Sequence, residues 1–262
     1  MMPLPSSGAI SLNQIHVEAG GSSSTTASLN DSDIRAMIGK SSGAVNSFSE
    51  YRGVSAASPS VSYRGRTLTT SNGFPAGYVS LSSGTKIVVV TLQSPGYANS
   101  YINLGSSAMT KAADQDGRVM IYYLETSASG SQYISGNGGS GRNVTHTFEI
   151  TGYNSATPSA TAVAISANNY SGFTKSISIT NQYNGVTIGS GLCEDTIPVN
   201  GVTVSNADTL LQVDLEYATN HYAWVDENTP LGSRTYTANQ TTPGSNGNPN
   251  GTAHRLAVAH WK

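Results

Sequence analysis

The apolar residues of this chain fall into two patterns. One is the unbroken run. Ile87-Val88-Val89-Val90-Thr91-Leu92, entered from Lys86, is such a run, and Val119-Met120-Ile121-Tyr122-Tyr123-Leu124 is another. Short continuous runs of this kind read as central strands of a sandwich. The other pattern is alternation. Ser176-Ile177-Ser178-Ile179-Thr180 alternates, and Asn184-Gly185 then leads into Val186-Thr187-Ile188, which predicts a hairpin. Ile197-Pro198-Val199, Asn200-Gly201 and Val202-Thr203-Val204 predict a second, with Pro198 holding its strand at an edge. Leu211 to Tyr217 alternates strictly, and Leu256 to Trp261 reads as a final strand. The Gly/Asn/Pro stretch Thr241 to Gly251 predicts a long exposed loop.

Helical spacing is confined to the N-terminal part. Ile34, Met37 and Ile38 lie three and four residues apart, Asp31 or Ser32 can cap the start, and Gly39 can end the turn. One short helix with extended chain on either side is the expectation for residues 1–53. So small a segment is expected to dock onto something else. Residues 54–85 are rich in Ser, Gly and Pro and are either a linker or the first strands. Residues 86–262 read as a β-sandwich domain. The fold class is therefore all-β: a two-sheet jelly-roll-like sandwich preceded by an extended N-terminal segment with one short helix.

Composition sharpens this picture. Charged residues are 11% of the chain, against roughly 25% in average soluble proteins. Gly, Ser, Thr and Asn take their place, which suits strands that expose hydroxyls and a surface that packs against many neighbours. The formal net charge is −2 with no basic run, which argues against nucleic acid as a partner. The single cysteine, Cys193, has no partner for an internal disulfide. No stretch has the layout of a signal peptide or the roughly 20 apolar residues of a membrane span. The chain is expected to be made in a cytosol, without membrane insertion.

Most candidate chemistry has a plainer explanation beside it. Gly136-Asn137-Gly138-Gly139-Ser140-Gly141 matches a dinucleotide fingerprint in form, but a strand-like segment follows where a helix is required. Asp114-Gln115-Asp116-Gly117 lacks the further ligands of a calcium loop and reads as a turn. Asp214 and Glu216 share the polar face of one strand. His146 and Glu149 project to opposite faces of theirs, with His146 on the face of Phe148 and Ile150. His221, Asp226 and Glu227 around Trp224, like His254 and His260, read as surface residues, and Cys193 as a buried small side chain. No metal, cofactor or catalytic set is expected. The 14 tyrosines, against 4 phenylalanines, carry more weight. Tyrosine gives a rigid amphipathic contact surface at low entropy cost. Tyr97, Tyr101, Tyr133 and Tyr170 stand among Gly, Ser and Asn and are the candidate receptor-binding residues.

The first 53 residues carry a resemblance. Ser6-Ser7-Gly8-Ala9-Ile10-Ser11-Leu12-Asn13-Gln14-Ile15 is echoed by Ser41-Ser42-Gly43-Ala44-Val45-Asn46-Ser47-Phe48, with Ala27 to Gly39 between them and Phe48-Ser49-Glu50-Tyr51-Arg52-Gly53 at the close. This pattern resembles the N-terminal segment of bacteriophage virion proteins, above all tail and tail-fibre proteins of marine phages and cyanophages. The resemblance implies a tail fibre or baseplate-associated receptor-binding protein, synthesised in the bacterial host and located in the virion tail. It implies a homotrimer whose partners are other virion proteins and a host-surface glycan or protein. Ile10, Leu12, Ile15, Ile34, Met37, Ile38, Phe48 and Tyr51 are then the virion-attachment residues. The alternative is a capsid decoration or cement protein. A tailspike-like glycan hydrolase fits less well, because no solenoid period is present.

Overall fold

The structure, a computed structural model, describes residues 4–23, 25–38, 40, 43–53, 59–69, 72–96, 101–165, 174–181, 185–194, 202–215, 219–229, 232–240 and 253–262. The N-terminal segment holds helix α1 (Leu12–Glu18), helix α2 (Ser32–Ala36) and a 3₁₀ turn (Phe48–Tyr51). The single helix expected around Ile34 is thus joined by α1, where extended chain was expected. A capping box starts α1: Ser11 Oγ accepts from Gln14 N at 3.2 Å and Gln14 Oε1 accepts from Ser11 N at 2.7 Å. The segment also builds a small core of its own. Leu4, Ile15, Ala19, Ile34 and Tyr51 are buried, with Ile10, Leu12, Met37 and Ile38 packed around them. Asn46 Nδ2 ties this core by donating to Leu29 O and Tyr51 OH at 2.8 and 2.9 Å.

Among the described residues, seventeen strands follow. They are β1 (Ser60–Leu68), β2 (Gly77–Leu81), β3 (Lys86–Gln93), β4 (Ile102–Leu104), β5 (Ser107–Ala108), β6 (Thr110–Gln115), β7 (Val119–Thr126), β8 (Gly130–Gly136), β9 (Val144–Thr151), β10 (Ala160–Ile165), β11 (Thr174–Asn181), β12 (Gly185–Glu194), β13 (Val202–Val204), β14 (Thr209–Leu215), β15 (Thr219–Thr229), β16 (Gly232–Gln240) and β17 (Ala253–Trp261). They form four sheets: a first inner sheet β1-β9-β3-β7-β6, a first outer sheet β2-β8-β4-β5, a second inner sheet β10-β17-β12-β15-β14 and a second outer sheet β11-β16-β13. The protein is all-β and sandwich-like. The expectation of two sheets becomes four, because β1 and β2 arise from residues 54–85 and the strands divide into two sets. Those before residue 152 build the first two sheets and those after residue 159 build the other two.

The two sets are one topology written twice. In each, the first, last, third and sixth strands lie side by side, as β1-β9-β3-β7 and as β10-β17-β12-β15. The second, seventh and fourth form the facing sheet, as β2-β8-β4 and as β11-β16-β13. This is the order of an eight-stranded jelly roll. In the first copy the fifth strand is split: β5 pairs with β4 in the outer sheet, and β6, one residue later, pairs with β7 in the inner sheet. The inner sheets pack against each other in reversed order. β10 lies over β6, β17 over β6 and β7, β12 over β7 and β3, and β15 over β3 and β1. Two copies related by a two-fold axis between β3 and β12 would pack in this way.

Four layers make three cores. Val88, Val90, Leu92, Met120 and Tyr122 face Val79, Ile102 and Ile134 of the first outer sheet. Ile87, Val89, Ile121 and Phe148 face Ile188, Leu192, Ala223 and Trp261 of the second inner sheet. Tyr222, Trp224, Leu256 and Val258 face Ile177, Ile179 and Tyr236 of the second outer sheet. A sheet covered on both faces has no polar side to alternate, which is why β3 reads as an unbroken apolar run. Two glycines of β12 serve this packing. Gly189 lies opposite Trp224 and Gly191 opposite Tyr222 in the β12–β15 pair, and a Cβ at either would overlap the ring.

The hairpin expected at Asn184-Gly185 is not formed. β11 pairs with β16, whereas β12 pairs with β15 and β17, so the connection passes from one sheet to another. Residues 182–184 themselves lie outside the described residues, as do Ile197 to Gly201 of the second expected hairpin and the loop at 241–251. Val202–Val204 of that hairpin pairs with β16.

Candidate functional site

The first outer sheet turns one face to solvent. In β2, Val79 and Leu81 point into the core while Tyr78 and Ser80 point out. In β8, Ile134 points in while Ser131 and Tyr133 are exposed and Ser135 is partly so. In β4, Ile102 and Leu104 point in and Asn103 lies between them on the other face. Tyr101 immediately precedes β4, and its carbonyl accepts from Asn137 N at 3.1 Å, so it sits at the end of the same sheet. Strand alternation therefore gathers Tyr78, Tyr101, Tyr133, Asn103 and three serines on one outward face. The tyrosines are 73%, 58% and 43% exposed. Tyr78 and Tyr133 are directly opposed in the β2–β8 register, with ring centroids 4.9 Å apart and planes at 53°. No strand of this sheet carries a charged side chain.

The second jelly roll provides a comparison within the same molecule. The equivalent outward face bears Thr174, Ser176, Ser178 and Thr180 on β11 and Ser233, Thr235, Thr237 and Asn239 on β16. Its hydroxyls pair across the strands: Thr174 with Asn239 at 2.6 Å, Ser176 with Thr237 at 2.8 Å and Ser178 with Thr235 at 2.7 Å. No aromatic ring stands on these two strands' outward positions. The same fold in the same layer thus needs no exposed tyrosine, so the three on the first outer sheet are not demanded by packing. Of the four tyrosines singled out from sequence, Tyr101 and Tyr133 stand on this face, while Tyr97 and Tyr170 lie outside the described residues. Tyr78 was missed. Its signal was the alternation Gly-Tyr-Val-Ser-Leu at 77–81, set within a stretch that otherwise reads as linker.

The other candidates fall elsewhere. Ile15, Ile34 and Tyr51 are buried in the N-terminal core and Ile10, Leu12, Met37 and Ile38 pack against it. Among the eight attachment residues, Phe48 alone is more than a third exposed, at 42%. These side chains hold the segment together, and the surface left for a partner is Phe48 with Val17 and Val45. His146 and Glu149 do face opposite ways. Glu149 is bound by Arg64 Nε at 2.5 Å and by Ser82 N and Oγ at 2.8 and 2.9 Å. Asp114 Oδ1 accepts from Gly117 N at 2.8 Å within the β6–β7 turn. The glycine run at 136–141 leads into strand β9, and Asn143 Nδ2 ties it by donating to Gly73 O, Gly139 O and Gly141 O.

His221, Asp226, His254 and His260 are corrections: all four are buried on strands β15 and β17, where surface positions were expected. Alternation sends His221 one way and the other three the other way, toward the second outer sheet, where Asp226 and His260 flank Thr187 in register and are linked through Tyr236, Asn181 and Thr187. His221 faces the first jelly roll. Asp226 faces the second outer sheet, where Tyr236 OH donates to it at 2.6 Å and Arg234 pairs with it at 2.5 Å. Burial raises the Asp226 carboxyl against the opposing pull of Tyr236 and Arg234. Glu227, half-buried, accepts from Val61 N at 2.6 Å and so joins β15 to β1. His260 Nδ1 lies 3.0 Å from Thr187 Oγ1, and His254 meets the Tyr222 hydroxyl. Cys193 is buried. Asp214 lies on β14 with its side chain outside the described set, and Glu216 lies outside the described residues.

A cleft of about 680 Å³ separates the N-terminal segment from residues 154–159 and Lys262. Asp33 and Lys262 both line it. Burial lowers the Lys262 ammonium, with Asp33 opposing, and its Nζ donates to Ala19 O at 3.3 Å. His16, also in the wall, packs its ring on Gly21 and places Nε2 2.7 Å from Thr25 Oγ1. Among the described residues, no three His, Cys, Asp or Glu side chains are grouped to hold a metal, and no helix is long and apolar enough to cross a membrane. No protein-family model, curated protein or solved structure matches the chain.

Proposed function

We propose that this chain is a bacteriophage virion structural protein, a tail-fibre or baseplate-associated receptor-binding protein. The tyrosine face of the first outer sheet carries the reading. Three exposed aromatic rings on a charge-free sheet, absent from the equivalent sheet of the second jelly roll, are a surface kept for contact. The face stands open to solvent, which suits adhesion to a host-surface glycan or protein better than catalysis in a concave pocket. The N-terminal motifs support the virion assignment. In this reading that segment attaches the protein to the tail, with Phe48, Val17 and Val45 as the exposed apolar contacts, and the assembly is a homotrimer.

Capsid decoration is the second reading, and the hydroxyl face of β11 and β16 favours it. A broad uncharged surface packs against lattice neighbours without burying charge. Adsorption separates the two. Purified protein should compete with intact particles for host cells and slow their adsorption, and Tyr78→Ser with Tyr133→Ser should abolish the competition. Undiminished adsorption at saturating wild-type protein would reject the receptor-binding reading.

A further inference from the structure

We infer that the tyrosine face of the first outer sheet binds an uncharged hexopyranose unit of a host-surface polysaccharide. The inference rests on the receptor-binding reading and narrows its ligand. Size is the first argument. The four strands are five, seven, three and two residues long; at about 3.3 Å per residue and about 4.8 Å between strands they present on the order of 270 Å². A stable protein partner needs about 800 Å² on each side. The face is about a third of that, and of the residues that anchor tight protein contacts it holds tyrosine but neither arginine nor tryptophan. One or two sugar rings need no more area than the sheet provides.

Charge is the second argument. With no lysine or arginine on β2, β4, β5 or β8, the face has nothing to neutralise phosphates, uronates or sialic acids. It has no carboxylate to recognise an amine either. What it has is ring surface edged by hydroxyls and an amide. Tyr78 and Tyr133 stand with their ring planes tilted by 53° and their centroids 4.9 Å apart. The C–H face of a pyranose lies against one ring. Its equatorial hydroxyls then reach Ser80, Ser131, Ser135 and Asn103, which supply both donors and acceptors. Tyr101, at the end of the sheet, extends the platform to a second sugar. The rings lose little entropy on binding, since each has two side-chain torsions and Tyr78 and Tyr133 already lean on each other.

The test uses fluorescently labelled full-length protein on isolated envelopes of the bacterium that hosts the particle. Binding should survive proteinase K, be lost after periodate cleavage of sugar diols, and change less than about twofold between about 50 and 500 mM NaCl. Tyr78→Ser and Tyr133→Ser should each weaken it about tenfold, the loss of one ring contact. Ser178→Ala on the second outer sheet should leave it unchanged. Binding removed by proteinase K, or lost steeply with salt, would overturn the uncharged saccharide while leaving a receptor-binding protein. Equal binding by the tyrosine variants would overturn this face as the site. Failure of the wild-type chain to bind envelopes at all would overturn the receptor-binding reading itself.

Discussion

Acid should loosen the seam between the two jelly rolls, because two buried histidines lie there. His146 and His221 are 1% and 0% exposed. Burial brings His146 down to about 4, with the nearby Arg66 charge adding to the effect. Burial brings His221 down to about 3, with the His146 charge adding and the backbone of Gln93 opposing. The surroundings offer little to a proton. Tyr63 OH is 3.4 Å from His146 Nδ1, and Gln93 spends its amide nitrogen on Thr91 and Ser190. The unfolded chain titrates near 6.5 and the folded chain well below it. The contribution to stability is therefore whole above pH 6.5 and is lost as pH falls through 4 and towards 3. Each histidine costs about 1.4 kcal/mol per pH unit across that window, so the pair costs about 7 kcal/mol between pH 6.5 and 4. That is comparable with the 5–15 kcal/mol that typically holds a protein folded. Urea unfolding between about pH 7 and pH 4.5 measures the slope. His146→Gln and His221→Gln should each flatten it by about 1.4 kcal/mol per pH unit, and the double variant by about 2.8. A double variant with the wild-type slope would refute the reasoning.

Gly189→Ala should force the Trp224 ring out of its place and lower stability by about 1–3 kcal/mol, seen as a fall in the calorimetric midpoint. Glu149→Ala should cost about 1–3 kcal/mol in urea unfolding, because it leaves the Ser82 N–H and the partly exposed Arg64 without their acceptor at the junction of β1, β9 and the first outer sheet. Tyr78→Ser and Tyr133→Ser should each shift stability by no more than about 0.5 kcal/mol, since both rings stand in solvent. A larger loss would assign them to the fold and withdraw them from recognition.

The strands at 86–93 and 119–126 were legible because their unbroken apolar runs have one explanation, burial on both faces. The pairing of two jelly rolls into four layers was much less legible. The duplication shows in strand order, and in sequence only as scattered matches: Ala57-Ser58-Pro59-Ser60 and Ala156-Thr157-Pro158-Ser159 ahead of β1 and β10, and Glu125 with Gly130-Ser131 and Glu227 with Gly232-Ser233 at the entries to β8 and β16. Asn184-Gly185 carries a strong turn signal, yet β11 finds its partner in β16, about fifty residues on, because the outer sheet takes it. His221, His254 and His260 look like surface residues when read alone. They are buried because β15 and β17 are interior strands, which only the topology reveals. Helix α1 was announced by Ser11 and Gln14 at capping-box spacing. Tyr78 was hidden by a five-residue strand among serines and glycines. Of the eight N-terminal apolar residues named for attachment, seven face one another in the segment's own core and Phe48 stays exposed.

Immunogold labelling of intact particles with antibody raised against the β-strand region tests the account most directly. Gold at the tail tip or along side fibres is the predicted result, and it would place the tyrosine face where a host surface is met. Gold spread evenly over the head would contradict the receptor-binding account and leave the capsid-cement reading in its place.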